Sequence, residues 1–396
     1  MVLSNTGMGL SAYRRFAFSL AFAVLLAGQN AVAGQALDRS VDAYVRSEMG
    51  KRRIPGLALA VIQHGRVEKT SSYGLADLAF DIPVTPTTLF NVKSETKAFT
   101  AVAVMTLVEA GKLKLDDHIG TYLNELPASW REITIRQLLD HTSGVPDVAR
   151  NSYSTETVAD TPEEALRVLS DRPMDFAPGS QWRYNQTNYL LLGLLIEKLS
   201  GESYSRFCED RLFAPLKLNN PTFGDERTVI RHRATDYTIY RFAGDAPTVL
   251  DHFEVLDYRM PPMLYPAGGL NISAVDLAHW LIAIMSEKLI SRASLQELWT
   301  PTRLNDGSTF EEPPSSPWRN YGLGWLLVPQ AEHPAVGGTG GVQAAFIIYP
   351  KDDFAVAVLT NLQGSQPDSL VVGIASQYLA QSNHGALLRS RPTTAQ

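Results

Sequence analysis

A serine and a lysine lie three residues apart at the start of an apolar segment. Ser94 and Lys97 belong to the stretch F-N-V-K-S-E-T-K at residues 90–97. Residues at this spacing share one face of a helical turn, so a helix here would place an amine beside a hydroxyl. A serine becomes a nucleophile when a base accepts its proton, and burial shifts a lysine toward the neutral form that can do so. The spacing predicts a nucleophile and its base, although a solvated first turn carries the same pattern.

The segment after this pair is predicted to be a buried helix. From Ala98 to Ala110 nearly every residue is apolar, which is typical of a helix enclosed by protein. Gly111 supplies a C-terminal stop. The unpaired N–H groups and the dipole at the start of such a helix favour negative charge on an attacked carbonyl. The helix would therefore position the pair and also assist its chemistry.

Composition narrows the class of protein. The chain has 396 residues, of which 45% are apolar and 19% are charged, a globular balance. A formal net charge of -6 without a long basic run argues against binding nucleic acid or an acidic membrane surface. Cys208 is the only cysteine, which excludes an internal disulfide and a zinc site built on thiolates. The histidines show no spacing such as H-E-x-x-H, so neither a metal nor another cofactor is predicted.

The N-terminus has the pattern of a secretory signal. Arg14 and Arg15 precede an apolar run from Phe16 to Gly28, and Ala31-Val32-Ala33 forms a small-residue cleavage site. We therefore expect residues 1–33 to be a signal peptide and the mature chain to be periplasmic or secreted. No later segment is long and apolar enough to predict a membrane span.

The remaining patterns predict an α/β (α+β) fold, with an antiparallel sheet flanked by helices. A mainly helical subdomain at about 113–265 would be inserted within one domain at 37–381, and 382–396 would be a polar, mobile tail. Residues 76–88 are predicted to form a loop. The predicted strands are 57–63, 67–73, 324–328, 343–349 and 354–361, and the predicted helices outside the apolar segment are 37–49, 135–140, 162–170, 189–200, 273–285 and 368–380.

Four further stretches make the pattern specific. They are L-L-D-H-T-S-G at 138–144, Y-N-Q-T-N-Y-L-L-L-G at 184–193, P-A-G-G-L at 266–270 and G-T-G-G at 338–341. With the Ser94 helix, and in this order, they resemble the serine β-lactamase and penicillin-binding-protein superfamily. The resemblance is to the branch of class C β-lactamases, D-amino-acid peptidases and related esterases, and it runs from about Ile54 to Leu379.

The resemblance implies roles for individual residues. Ser94 matches the acylated nucleophile, Lys97 its proton acceptor, and Tyr184 a tyrosine that shuttles protons to the leaving group and the hydrolytic water. The backbone N–H groups of Ser94 and Gly341 match the oxyanion hole. His141 matches a scaffold position. The positions that match substrate-binding residues are Gln186, Gly338, Thr339, Gly340 and Gly341.

Two positions depart from the family pattern. The family's second motif, which residues 184–186 match, is normally Tyr-x-Asn. The third residue of this motif is Gln186 in this chain, and its side chain is one methylene longer than that of asparagine. The third motif normally begins with Lys or His, and that place is taken by Gly338. The missing group typically binds a substrate carboxylate, a contact worth about 1–4 kcal/mol. Its loss predicts weak recognition of β-lactams and undiminished attack on neutral esters or amides, unless Arg183 or Arg319 restores the positive charge.

Three functions remain open from the sequence. The first is an exported serine hydrolase that acts through an acyl-enzyme on small ester, amide or peptide-like substrates, with weak β-lactam hydrolysis. The second is a β-lactamase or D-Ala-D-Ala-type peptidase that works despite Gly338. The third is an acyl-binding or regulatory protein whose turnover was lost through Gln186 and Gly338. The oligomeric state is not decided by these patterns.

Overall fold

The computed structural model describes residues 34–149, 159–242, 247–313, 316–329 and 332–389. The predicted signal segment 1–33 lies outside the described residues, as does 390–396 at the end of the predicted tail. The described chain divides into a small unit of residues 34–51 and 376–389 and a large unit that lies within residues 52–375. In the small unit, Ser40 Oγ donates a hydrogen bond to Gln377 Oε1 at 2.8 Å. Among the residues described, no helix combines the length and apolar character that crossing a membrane requires.

The large unit contains an eight-stranded antiparallel sheet, which confirms the predicted fold class. Its strand order is β3-β2-β1-β13-β12-β11-β10-β9, and the central pairing sets Leu59 opposite Val358. A three-stranded sheet has the order β4-β8-β5, and β6 pairs with β7. The strands are β1 (Gly56–Gln63), β2 (Arg66–Asp77), β3 (Ile82–Pro83), β4 (Phe90–Asn91), β5 (Thr222–Phe223), β6 (Tyr237–Phe242), β7 (Pro247–Val255), β8 (Leu270–Ile272), β9 (Asn320–Tyr321), β10 (Leu326–Val328), β11 (Ala335–Gly340), β12 (Ala344–Tyr349) and β13 (Phe354–Thr360).

Helices of the large unit build the core beside the sheet. Phe99 on α2 stacks on Trp280 of α8 with ring centroids 3.9 Å apart, and Trp280 in turn meets Phe346 of β12 at 5.8 Å. This chain of rings joins the predicted buried helix to the sheet. The helices are α1 (34–52), α2 (Thr96–Glu109), α3 (Ile135–Leu139), α4 (Pro162–Ser170), α5 (Gln186–Ser200), α6 (Tyr204–Cys208), α7 (Tyr265–Gly268), α8 (Ala274–Met285), α9 (Arg292–Leu298) and α10 (Pro367–Arg389).

Several boundaries differ from the sequence-based expectations. The interval predicted to be mainly helical also holds β5, β6 and β7, because β6 is rich in the aromatic and β-branched residues that favour strands. The predicted loop 76–88 contains the end of β2 and the short β3. The last helix continues to Arg389, past its predicted end at 380, since the polar tail includes Ala, Leu and Arg, which are good helix formers.

Most of the Gly-rich motif at 338–341 lies inside β11, a strand that the sequence patterns did not predict, and the motif is followed by β12. Gly340 must be glycine because its backbone lies very close to the backbone of Val92. A Cβ on Gly340 would lie 1.8 Å from the carbonyl oxygen of Val92 and 3.0 Å from the amide nitrogen of Glu95. Strand β11 is thereby held directly against the turn that carries Ser94.

That turn is a short 3₁₀ helix, Lys93–Glu95, which leads into α2. Lys93 has a φ of 48°, in the left-handed region that residues other than glycine rarely adopt. Asn91 stabilises this backbone by accepting the Lys93 N–H through Oδ1 at 2.8 Å. The Lys93 ammonium group forms buried ion pairs with Glu226 and with Asp236, the latter at 3.0 Å. The residue before the predicted nucleophile is therefore fixed at both its backbone and its side chain.

We predict that Gly340→Ala destabilises the large unit by about 1–3 kcal/mol or more, since the added methyl group has no space against Val92. Urea denaturation followed by circular dichroism measures the change. Gly50→Ala is the matched control, because a Cβ there meets nothing within 4 Å and the backbone is helical. Equal midpoints for Gly340→Ala and wild type would contradict the close contact.

We further predict that Lys93→Met lowers the free energy of unfolding by about 3–5 kcal/mol, because Glu226 and Asp236 would remain buried without a cation. Burial already raises the pKa of Glu226 to about 7, and Lys93 opposes that shift. Lys114→Met, at an exposed lysine, is the control. A loss no greater than that of the control would disprove the role of the buried ion pairs.

Candidate active site

The structure brings the predicted nucleophile and base together at the start of α2. Lys97 Nζ lies 3.4 Å from Ser94 Oγ. The same nitrogen donates to Gln186 Oε1 at 2.9 Å and to the carbonyl oxygen of Ala267 at 2.7 Å. A neutral amine has two N–H groups and one lone pair, so these two acceptors use both N–H groups. The lone pair then remains for the proton of the Ser94 hydroxyl.

Burial keeps the Lys97 amine close to neutrality. Its side chain is buried between α2, α5 and α7, and removal from water lowers the pKa of Lys97 to about 7. Asp147 acts in the opposite direction and keeps this pKa from falling further. The amine also lies 4.7 Å from the ring centroid of Tyr184 and 5.2 Å from that of Tyr189. At neutral pH a large fraction of Lys97 is therefore able to accept a proton.

Tyr184 lies across the cleft from this pair. Its side chain is 37% exposed toward the cleft, yet the surrounding protein raises the pKa of the hydroxyl, an effect that Ser94 and Gln186 partly oppose. Tyr184 is therefore protonated throughout the physiological range and able to donate. Its ring packs against His141, with centroids 4.6 Å apart.

Gln186 occupies the position where the family pattern has asparagine, and its longer side chain still reaches Lys97. Asn188 does not substitute for it. The Asn188 side chain is buried and accepts a hydrogen bond from Ser143 Oγ at 2.6 Å, with its amide nitrogen 3.1 Å from His141 Nδ1. Burial lowers the pKa of His141 well below its usual value, so this residue is a neutral packing group.

The two predicted oxyanion residues, Ser94 and Gly341, both line the cleft. Gly341 has a φ of 56°, and a Cβ there would lie 2.6 Å from Lys93 Cγ. Glycine is therefore needed both for its backbone conformation and for its contact with the turn. Gly340, another predicted substrate-binding residue, packs on Val92 and does not line the cleft.

The cleft has a volume of about 260 Å³, which suits a small substrate. An aromatic wall is formed by Trp182, Tyr184 and Tyr321, and Trp182 is held by stacking on Phe310 at 3.7 Å. The residues that line the cleft are Ser94, Glu95, Lys97, Ala98, Trp182, Tyr184, Glu312, Tyr321, Gly324, Leu326, Gly338, Thr339, Gly341, Val342 and Asp368.

Within the described ranges, no cation replaces the side chain that is missing at Gly338. A Cβ at this position would meet the ring of Phe346 at 2.9 Å and Cγ of Glu95 at 3.6 Å. Arg183 pairs with Asp175 at 3.0 Å, and Arg319 donates to backbone carbonyl oxygens. Lys97 is the one basic side chain among the described residues that line the cleft.

Sequence reasoning missed the acidic side chains around this site. Glu95 stands between the two predicted catalytic residues, but its spacing did not indicate where it points. Glu312 and Asp368 reach the cleft from segments far away in the sequence, and Asp147 acts on Lys97 from a loop. Within the described parts of the chain, no group of acidic, histidine or cysteine side chains is placed to hold a metal ion.

A larger groove of about 600 Å³ lies elsewhere, lined by residues between Tyr122 and Lys198. It shares no lining residue with the cleft at Ser94. Its size alone therefore does not connect it to the chemistry described above.

Known proteins share this sequence pattern and this fold. Over 355 residues the chain is 25% identical to protein flp of Staphylococcus aureus strain MW2, covering 88% of this chain and 68% of that protein. It is 29% identical over 314 residues to a penicillin-binding protein of Bacillus subtilis strain 168, covering 76% and 66%. The solved octameric penicillin-binding protein homologue from Pyrococcus abyssi superposes with a TM-score of 0.72 at 26% identity, covering 86% and 77%.

The family itself is shown by a match that extends well beyond the site. The family model for β-lactamase matches residues 41–377, which include every predicted site residue. The same interval contains the antiparallel sheet, α2 and the turn before it. The chain therefore belongs to the β-lactamase family, and it is a serine hydrolase.

Proposed function

We propose that this protein hydrolyses small neutral esters and amides through a covalent acyl-enzyme at Ser94, with weak turnover of β-lactams at most. The observation that carries this proposal is the Lys97 amine, which lies 3.4 Å from Ser94 Oγ with both N–H groups engaged elsewhere. A base held in this state accepts the serine proton during attack.

Acylation would begin with attack of Ser94 Oγ on the substrate carbonyl while its proton passes to Lys97. The oxyanion would be stabilised by the backbone N–H groups of Ser94 and Gly341. When the bond to the leaving alcohol or amine breaks, Tyr184 would donate a proton to the leaving group and recover one from Lys97. A water molecule would then attack the acyl-enzyme, releasing the acid and returning a proton to Ser94.

The walls of the cleft support a neutral substrate over a β-lactam. The carboxylate of a β-lactam would find no cation at Gly338, and it would meet the acidic side chains of Glu95, Glu312 and Asp368. Attack on an ester or amide without this carboxylate needs only the nucleophile, the base and the oxyanion donors.

We also propose that the protein acts after export, in the periplasm or outside the cell. The support is the sequence pattern of residues 1–33, with two arginines before an apolar run and a small-residue cleavage site. The mature chain would then begin near Gly34, and the hydrolase domain would be exported with it.

The direct test is a comparison of two substrates. We expect 4-nitrophenyl acetate to be hydrolysed with a kcat/KM at least about tenfold higher than nitrocefin, because the carboxylate of nitrocefin finds no cation at Gly338 to bind it. Ser94→Ala should lower kcat for the ester by at least about 10³-fold. Ser170→Ala, at an exposed serine, is the matched control.

The opposite substrate order, with nitrocefin faster, would refute the neutral-substrate proposal. Retention of the ester activity in Ser94→Ala would refute the acyl-enzyme at this residue. Product in excess of the molar amount of protein separates true turnover from a single acylation.

The pH dependence of kcat/KM tests the role of Lys97. Below the Lys97 pKa of about 7 the amine is protonated and cannot accept the serine proton, so kcat/KM should rise with pH and level off above that value. The measurement is kcat/KM as a function of pH from 5.5 to 8.5. On the acidic side of the pKa, kcat/KM should fall about tenfold for each pH unit. Lys114→Met should keep the profile. A rate independent of pH across this range would argue against Lys97 as the base.

A further inference from the structure

Three carboxylic acids line the cleft beside the third motif. Glu95 follows Ser94 directly, while Glu312 and Asp368 reach the same cleft from other segments. They lie close enough that the charge on Asp368 raises the pKa of both glutamates. This end of the cleft is therefore acidic, although the third motif typically supplies a basic group here.

Glu95 has no side-chain partner among the described residues. The residue is 1% exposed, neither carboxylate oxygen accepts a hydrogen bond of good geometry, and the backbone N–H of Phe346 is the one protein group that lowers its pKa among the described residues. A buried carboxyl without a partner is costly, and such groups in proteins are normally paired or hydrogen-bonded. The side chain lines the cleft next to the predicted nucleophile. A group that enters the cleft is thus the natural partner of Glu95.

The part of the chain that the structure describes provides no cation for this cluster. Burial raises the pKa of Glu95, Glu312 and Asp368, with no lysine, arginine or histidine acting in the opposite direction. Lys97 lines the same cleft, but its N–H groups are donated to Gln186 and Ala267. The three carboxyls also do not form a group that could hold a metal ion. An organic cation fits this environment better than a metal.

We propose that Glu95, Glu312 and Asp368 form a cation subsite, and that the preferred substrate is an ester or amide carrying a positively charged ammonium group. This inference rests on the proposed hydrolase function and specifies its substrate class. The ammonium group would donate hydrogen bonds to the unpaired carboxyl oxygens, or contact them as a quaternary cation. The acids would ionise as the cation enters, since an adjacent positive charge favours the carboxylate form.

Two isosteric substrate pairs test the proposal at pH 7. Acetylcholine and 3,3-dimethylbutyl acetate differ by a positive charge in the leaving group. Alanine 4-nitroanilide and isobutyric 4-nitroanilide differ by an ammonium group in the acyl part, and both enantiomers of the alanine compound are used. We expect the cationic member of at least one pair to have a kcat/KM at least about tenfold higher than its neutral isostere. The ratio should fall as salt is added.

Variants connect the preference to the cluster. In Glu312→Gln and Asp368→Asn, which change a cleft carboxyl to an amide of similar size, the cationic-to-neutral ratio should fall at least about fivefold. Glu132→Gln is the matched control, because Glu132 is 81% exposed and does not line the cleft. The ratio within each variant is the readout, so a general loss of activity does not imitate the expected result. Thermal unfolding verifies that each variant is folded.

The possible outcomes distinguish failure of the cation subsite from failure of the proposed hydrolase function. Hydrolysis of the neutral esters with cationic-to-neutral ratios near one in both pairs would overturn the cation subsite and leave the hydrolase intact. A strong cation preference unchanged in both cleft variants would also overturn it. Failure to hydrolyse any of these compounds or 4-nitrophenyl acetate would overturn both proposals.

Discussion

The chemistry that we propose for this protein depends on holding one amine away from water. Lys97 is enclosed by α2 and the elements opposite it, and this burial lowers its pKa to about 7. Two acceptors, Gln186 and Ala267, then determine which way its N–H groups point. Burial alone would produce a neutral amine of undefined orientation, and the acceptors alone would leave it charged. Both conditions are needed for a lone pair directed at Ser94.

The backbone around the predicted nucleophile is also held in place by the residues that surround it. Lys93 in a left-handed conformation turns the chain into α2, and its side chain is fixed by two buried carboxylates. Gly340 lets β11 approach that turn at a distance that no other residue permits, while Gly341 continues in a left-handed conformation beside Lys93. Strain at such positions persists only where the surroundings enforce it. Here the contact between β11 and the turn that carries Ser94 holds both backbones in these conformations.

The sequence could predict the features that depend on neighbouring residues, and it could not predict those that depend on the tertiary fold. The pairing of Ser94 with Lys97 and the buried helix after them depend on spacing within a few residues, and the structure has both. Gln186 could be recognised as a departure, but its reach to Lys97 depends on how α5 packs on α2. The acidic character of the cleft could not be predicted, because Glu312 and Asp368 meet Glu95 only through the tertiary fold. Strand β6 was missed because it lacks an alternation of buried and exposed residues, since Tyr237, Thr238 and Ile239 are all buried.

The glycine at the head of the third motif has a consequence for how this cleft can evolve. Introducing the lysine typical of β-lactamases at Gly338 would press the new side chain against Phe346, whose ring would lie 2.9 Å from its Cβ. The new ammonium group would also find Glu95 nearby as an internal counter-ion. A single substitution at Gly338 therefore does not by itself create a free cation in this cleft, because Phe346 limits the space and Glu95 lies close enough to pair with the new charge.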